Sequence, residues 1–217
     1  MFIHNHPYPP FLFPEAKKLI VGTLPPPRFS TGELLEKDVD FCYGSYYNSL
    51  WLYLDKIFDL NLSYDNTLHS IEQRKRFLIE RNIGVCDIVE SAEREKIDAS
   101  DLGMKNIKLR DLIAYLKAYD QIEWLLFTGG NSKNGPEYFF RKHIKNYDIK
   151  LEVVSHNRPR IHKFQLANRW IHTVSLTSAS GAANISIGSD PLYKERKRHN
   201  PNYSTFDFRV DQYRDYF

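Results

Sequence analysis

The chain has 217 residues, of which 42% are hydrophobic and 26% are charged, and its formal net charge is +3, as expected for one soluble globular domain. This composition excludes collagen-like, low-complexity and disordered proteins, and no run of about 18 apolar residues is present that could span a membrane. The amino terminus shows no secretory signal, and the two cysteines, Cys42 and Cys86, are too few for a disulfide framework, so a cytoplasmic location is expected.

The spacing of apolar residues predicts alternating strands and helices along the chain. In chain order these are strand 18–22, helix 50–58, helix 70–81, strand 83–89, helix 109–119, strand 124–128, helix 135–144, strand 151–154 and strand 172–176. The polar segment 156–168 is interpreted as an inserted loop. This alternation predicts one α/β domain over residues 1–217, with three α/β/α layers and a mostly parallel central sheet.

Three loops follow predicted strands, at 22–27, 128–131 and 177–184, and all should meet at the carboxyl edge of a parallel sheet, where ligands bind. None carries a Walker sequence or a Gly-x-Gly-x-x-Gly fingerprint, and the chain has no Gly-x-Ser-x-Gly elbow or His-Glu-x-x-His pattern. His156 and His162 are too loosely spaced for a persuasive metal pair and are interpreted as loop histidines on a basic surface.

The loop over 177–184 is rich in small residues that allow close approach to a phosphate. Residues 141–217 carry 14 basic and 7 acidic side chains, against 16 basic and 20 acidic in residues 1–140. The basic side chains that follow the loop are Lys194, Arg196, Lys197 and Arg198. A phosphate backbone would suit this last third of the chain, but a generic turn and a solvated basic face explain the same residues.

Five short segments, in this order, resemble motifs of the uracil-DNA glycosylase superfamily, most closely its hypoxanthine (deoxyinosine) branch. They are Val21-Gly22-Thr23-Leu24-Pro25-Pro26, Tyr43 to Trp51, Ile83 to Glu95, Leu125-Leu126-Phe127-Thr128-Gly129 and Leu176 to Ala182. The resemblance covers about residues 18 to 185. It implies a monofunctional DNA glycosylase of base excision repair that acts on DNA containing a damaged base, as a monomer and without metal or cofactor.

The resemblance also implies roles for individual residues. Asn48 matches the asparagine that positions water and the departing base, and from its place before an apolar run it is also a candidate helix N-cap. The substrate-binding residues implied by the motifs are Gly22, Thr23 and Pro25 for the pocket, Tyr43 for stacking on the base and Thr128 for reading the base edge. The phosphate-gripping residues would be Ser178, Ser180 and Gly181.

Several positions depart from the motifs, among them Thr177 and the run Ser45-Tyr46-Tyr47, and two departures bear directly on the chemistry. Leu24 stands where many members carry a water-activating Asp or Asn, although the hypoxanthine branch also has an apolar residue there. Thr128 stands where the family usually has Asn, and it offers a single hydroxyl to a base. These departures support a second hypothesis, a catalytically silent nucleic-acid-binding protein on the same fold, and an enzyme acting on free nucleosides or nucleotides is a third.

Three further residues are predicted to be structural. Asp87 lies near the end of a predicted strand and is interpreted as a carboxylate that binds backbone amides there. Cys86 is interpreted as a small core residue, because no histidine stands convincingly beside it to activate a thiolate. Trp51 belongs to the apolar stripe of the helix over 50–58 and is predicted to lie in the core.

Overall fold

The computed structural model of the protein describes residues 1–96 and 101–217. The strands are β1 (Phe2–Asn5), β2 (Lys18–Val21), β3 (Ile83–Val85), β4 (Val89–Arg94), β5 (Met104–Leu109), β6 (Trp124–Phe127), β7 (Glu152–Ser155), β8 (Arg160–Leu166) and β9 (Arg169–Ser175). The α-helices are α1 (Pro27–Thr31), α2 (Leu50–Phe58), α3 (Leu68–Glu80), α4 (Leu112–Ala118), α5 (Pro136–His143), α6 (Asn184–Gly188), α7 (Pro191–His199) and α8 (Thr205–Arg214).

The central sheet has six strands in the order β3-β2-β6-β9-β8-β7. β2 pairs in parallel with both β3 and β6, and β6 pairs in parallel with β9. β8 and β7 extend the sheet in antiparallel fashion beyond β9. The mostly parallel sheet predicted from the sequence is therefore confirmed, and the carboxyl ends of β2, β6 and β9 lie at one edge.

Helices cover both faces of this sheet. Alternate residues of each strand point to opposite faces, so a strand such as β2 contributes to two separate cores. Leu19 and Phe127 pack in a core with residues of α4 and α5, whereas Ile20 and Leu126 pack in a second core with residues of α2, α3 and α8. Trp51 is 2% exposed in the second core, as predicted. The predicted three-layer α/β/α arrangement is confirmed.

The structure corrects the sequence prediction at 83–89 and 109–119. The first run divides into β3, in the central sheet, and β4, which forms a separate antiparallel sheet with β1 and β5. Leu109 ends β5 rather than starting a helix, and α4 begins at Leu112, where the Asp111 side chain accepts the Ala114 N–H and caps the helix. β1, β4 and β5 carry many polar side chains, so their hydrophobic signal is weak.

The segment 156–168 is also not an inserted loop. Its residues 160–166 form β8, which pairs with β9 over seven positions from Arg160–Ser175 to Leu166–Arg169. The strand alternates buried His162, Phe164 and Leu166 with polar residues, and this period-two pattern is the signal that sequence analysis missed. No helix in the described ranges combines the length and apolar character needed to cross a membrane.

Candidate functional site

A cleft of about 1110 Å³ lies at the carboxyl edge of the parallel strands. The loops that follow β2, β6 and β9 form part of its wall, together with the loop that precedes α2. Parallel strands bring these distant parts of the sequence to one edge of the sheet. The cleft lining includes all nine residues that the motifs indicated: Gly22, Thr23, Pro25, Tyr43, Asn48, Thr128, Ser178, Ser180 and Gly181.

Asp87 joins two of these loops at the base of the cleft. Its Oδ1 accepts the Gly22 backbone N–H and the Tyr43 hydroxyl, each at 2.8 Å. Its Oδ2 lies 3.0 Å from Nε2 of His6, whose Nδ1 accepts the Tyr8 N–H, so the Nε2–H of His6 donates to Asp87. The prediction that Asp87 binds backbone at a strand end is confirmed for Gly22. We call Asp87, His6, Gly22, Tyr43 and Thr128 the Asp87 junction.

Tyr43 is held firmly in the Asp87 junction. Its hydroxyl donates to Asp87 and lies 3.2 Å from the Thr128 hydroxyl. Burial, followed by the negative charge of Asp87, raises the pKa of Tyr43 well above its usual value, so the hydroxyl stays protonated. Gly22 makes this approach possible, because a Cβ at that position would lie 2.3 Å from the Tyr43 oxygen. The motif that contains Tyr43 indicates a stacking ring and gives no sign that its hydroxyl is bound in this network.

Asn48 lies in the cleft wall just before α2. Ser49 occupies the N-cap position of the helix, and the Asn48 Oδ1 accepts the Leu50 N–H at 3.3 Å. The prediction that Asn48 is the N-cap is therefore wrong by one position, although its side chain accepts the first N–H of the helix. This bond uses only the Oδ1 of Asn48, which lines the cleft, and an amide side chain also carries two N–H donors that a ligand can accept from.

The loop after β9 is held from behind by Arg209 of α8, which is 3% exposed. The Arg209 guanidinium donates to the carbonyl oxygens of Ser178 and Ser180 at 2.8 and 3.0 Å. The two serine hydroxyls accept backbone N–H groups two residues ahead. Sequence analysis missed Arg209, because a lone arginine on a helix gives no sign of the distant loop that it binds.

The basic side chains of α7 do not form the cleft wall. Lys194, Arg196, Lys197 and Arg198 are absent from the described lining, and Arg196 is paired with Asp211 and the Tyr203 hydroxyl. The described lining instead contains the cations Arg28, Lys133, Arg158 and Arg160. The basic stretch over 194–198 is therefore not part of the described cleft lining, and α7 packs through Tyr193 against Phe208.

The two histidines singled out in the sequence have different environments. His156 is exposed and lines the cleft. His162 is buried on β8, where its Nε2 lies 3.0 Å from Arg141, so its interpretation as a loop histidine is wrong. Burial, with the charge of Arg141, lowers the pKa of His162. Within the described ranges no cluster of three or more His, Cys, Asp or Glu side chains could hold a metal ion.

Both cysteines are buried and free. Cys86 is 1% exposed in the core beside β2, as predicted, and burial raises the pKa of its thiol to about 12. A thiol with so high a pKa is not a nucleophile at neutral pH, because only the thiolate reacts. Neither cysteine belongs to the described lining of the cleft.

Comparison with known proteins gives a likeness of fold. No protein-family model matches the chain, and a search of curated proteins gives no match. The fold is similar to the solution NMR structure of a protein from Methanosarcina acetivorans described as a "putative Uracil DNA glycosylase". The TM-score is 0.54 and the identity 16%, and the alignment covers 97% of this chain and 99% of that one. The chain thus has the α/β fold of that structure over almost its whole length.

Proposed function

We propose that the protein is a DNA glycosylase of base excision repair, which hydrolyses the N-glycosidic bond of a damaged, deaminated base such as uracil or hypoxanthine. One observation carries this proposal. Residues indicated by motifs far apart in the chain, from Gly22 to Gly181, line a single cleft at the carboxyl edge of the sheet. The likeness of fold to the Methanosarcina acetivorans protein supports the same function.

The proposed reaction consumes one water molecule. A bond forms between the water oxygen and C1′ of the sugar, while the bond between C1′ and the base nitrogen breaks. The base leaves with the electron pair of the broken bond, and the proton lost by the water balances the proton gained by the base. Positive charge develops on the sugar, so groups that orient the water and hydrogen-bond the leaving base lower the barrier.

Asn48 is the residue to which we assign this work. Its Oδ1 is anchored by the Leu50 N–H, and its NH₂ group can hydrogen-bond an oxygen or nitrogen of the departing base or hold the water. Because the amide is neutral between pH 4 and 10, its own protonation would impose no pH dependence on the rate in that range.

Asp87 is the one carboxylate in the described lining of the cleft. Three hydrogen bonds from Gly22, Tyr43 and His6 occupy its two oxygens, so its role in the proposal is to position the Asp87 junction rather than to activate water. Leu24 packs against the core and cannot bind water through its side chain. Its apolar character matches the hypoxanthine branch, and hypoxanthine is therefore the first base to test.

The test is strand cleavage of labelled oligonucleotides after alkali treatment. The panel carries uracil, hypoxanthine, xanthine or ethenocytosine in single and double strands. We expect breaks with the wild-type protein and a rate at least about 100-fold lower for Asn48→Ala, the size of loss typical of a positioned hydrogen-bond donor. Asn131→Ala is the control for loss of an amide side chain, because Asn131 is exposed, three residues after Thr128, and does not belong to the described cleft lining.

Three outcomes would contradict these assignments. Full activity of Asn48→Ala would show that another group positions the water. No break on any substrate, with DNA binding intact and steeply salt-dependent, would favour the catalytically silent DNA-binding protein. The apolar Leu24, and an Asp87 that already accepts three hydrogen bonds, are the observations that favour this second candidate. Activity on free nucleosides or nucleotides, without preference for DNA, would support the third hypothesis, an enzyme that acts on those small molecules.

A further inference from the structure

A buried carboxylate that the proposed reaction does not use lies beneath one wall of the cleft. Glu137, in the first turn of α5, is fully buried. Its Oε2 accepts the Ser175 hydroxyl at 2.6 Å and an Nη2–H of Arg160 at 2.9 Å, and its Oε1 accepts from Arg141 at 2.8 Å. Burial alone would raise the pKa of Glu137, but the hydrogen bonds from Ser175 and Arg141 and the charge of Arg160 bring it below its usual value, so the group is a carboxylate.

Arg160 stands between this carboxylate and the cleft. Its side chain is 41% exposed and lines the cleft, and the Gly130 backbone lies beside it, since a Cβ on Gly130 would be 3.7 Å from Nη2. A guanidinium has five N–H donors. Among the described residues, the Arg160 guanidinium uses one of them, on Nη2, to bind Glu137. This bond orients the guanidinium, and its other N–H donors have no partner among the described residues. A fixed, partly free guanidinium is the group that binds phosphate in bidentate fashion.

The surroundings of Arg160 also favour an anion. Lys133 and Arg158 line the same cleft and are exposed, and Arg158 is oriented by Asp190, 3.4 Å away. The described lining holds four Arg and Lys side chains against one carboxylate, Asp87. Charges of one sign lining a cleft attract ligands of the opposite sign and raise their local concentration.

We propose that Arg160, fixed by Glu137 and assisted by Arg158 and Lys133, binds a phosphate group of the substrate. This inference rests on the proposed function, because it takes the occupant of the cleft to be a nucleotide. The phosphate belongs either to a polynucleotide backbone or to a free nucleotide. Arg160 acts as a binding residue, and Glu137 and Ser175 are positioning residues that act through it.

The test is fluorescence anisotropy with a labelled single-stranded oligonucleotide over a series of salt concentrations. For Arg160→Gln we expect affinity to fall by about 10-fold to 100-fold at low salt, as for loss of a charged hydrogen bond. The slope of log affinity against log salt should shrink by about 0.7, the value for one phosphate contact on a single strand. Arg160→Lys should keep the slope but lose part of the affinity, because it keeps the charge and loses the planar fork.

Arg198→Gln is the control for loss of charge in general, since Arg198 is exposed on α7 outside the described cleft lining. Competition by a deoxynucleoside 5′-monophosphate and by inorganic phosphate separates the two sources of the phosphate. Retention of the oligonucleotide at millimolar competitor identifies the backbone, and displacement at micromolar nucleotide identifies a free nucleotide.

The proposal is overturned if Arg160→Gln binds with wild-type affinity and slope, or if Arg198→Gln loses as much as Arg160→Gln. It is also overturned if the wild-type protein binds neither the oligonucleotide nor the nucleotide. These outcomes are separable from failure of the proposed function. Arg160-dependent binding without base release would support the phosphate site and reject the glycosylase. Base release, with the same slope of log affinity against log salt for Arg160→Gln as for the wild type, would support the glycosylase and reject the phosphate site.

Discussion

Gly22→Ala places a methyl group in the centre of the Asp87 junction. An ideal Cβ at position 22 would lie 2.3 Å from the Tyr43 hydroxyl oxygen, 2.8 Å from Asp87 Oδ1 and 3.0 Å from Thr128 Oγ1. Real Cβ atoms essentially never come within 3.0 Å of such neighbours, so the Tyr43 side chain must move. The change is therefore expected to destabilise the fold and to disturb the cleft at the same time.

The magnitude follows from what Tyr43 would lose. Its hydroxyl makes hydrogen bonds of 2.8 Å with Asp87 and 3.2 Å with Thr128. Overpacking costs about 1–3 kcal/mol, and a buried hydrogen bond broken on one side costs about the same, so we expect the free energy of unfolding to fall by about 2–4 kcal/mol. Denaturant unfolding followed by tryptophan fluorescence measures this loss, and oligonucleotide cleavage measures the accompanying loss of activity.

Gly181→Ala is the matched control in the same cleft. Nothing lies within 4 Å of a Cβ at Gly181, so its stability should stay within about 0.5 kcal/mol of the wild type. Tyr43→Phe removes the atom nearest to the new methyl group. The double variant with Gly22→Ala should therefore lose less stability than the sum of the single variants, by about 1 kcal/mol. Wild-type stability of Gly22→Ala, or strict additivity of the pair, would refute the steric argument.

Two further predictions concern groups outside the Asp87 junction. Burial, then the charges of Arg94 and His6, lowers the pKa of His4 to about 4, so protonation favours the unfolded chain and about 3 kcal/mol of stability should be lost as pH falls from 6.5 to 4. Denaturant unfolding at several pH values should show a smaller loss of stability between pH 6.5 and 4 for His4→Gln than for the wild type. An equal loss would show that His4 is not its source. Asp38→Asn should cost about 3 kcal/mol, because the buried carboxylate pairs with Arg28 at 2.6 Å and accepts the Leu35 N–H. Thermal unfolding of Asp38→Asn measures this loss, and a midpoint temperature equal to that of the wild type would contradict the prediction.

The parts of the fold that were predictable are those with a strong local signal. β2 from Leu19 onward and the whole of β6 are apolar runs, and α2 repeats its apolar residues at helical spacing, so neighbouring residues alone specify them. β4, β5 and β8 contain many polar side chains, so their apolar pattern is weak. β4 also pairs with β1, with Phe2 opposite Arg94, and no short window of sequence contains both of these strands.

The candidate site divides in the same way. Gly22, Tyr43, Asn48 and Thr128 could be singled out because each stands in a short motif beside a strand or helix that the local pattern predicts. The network that orders them could not be predicted. His6 follows β1 and reaches Asp87 across 81 positions in the chain, a contact that depends on the pairing of β1 with β4.

The sequence by itself determined the alternation of strands and helices, the apolar cores and the loops that carry the site, because hydrophobic periodicity and turn residues act over a few positions. Only the tertiary structure decided which charges face the cleft. Arg160 lies on β8, in a segment whose polar sequence predicts a loop, and it lines the cleft beside buried Glu137. The conspicuous basic run of α7 is absent from the described cleft lining. Charged residues can be counted along the chain, but which surface their side chains line depends on pairing and packing between residues that are distant in sequence.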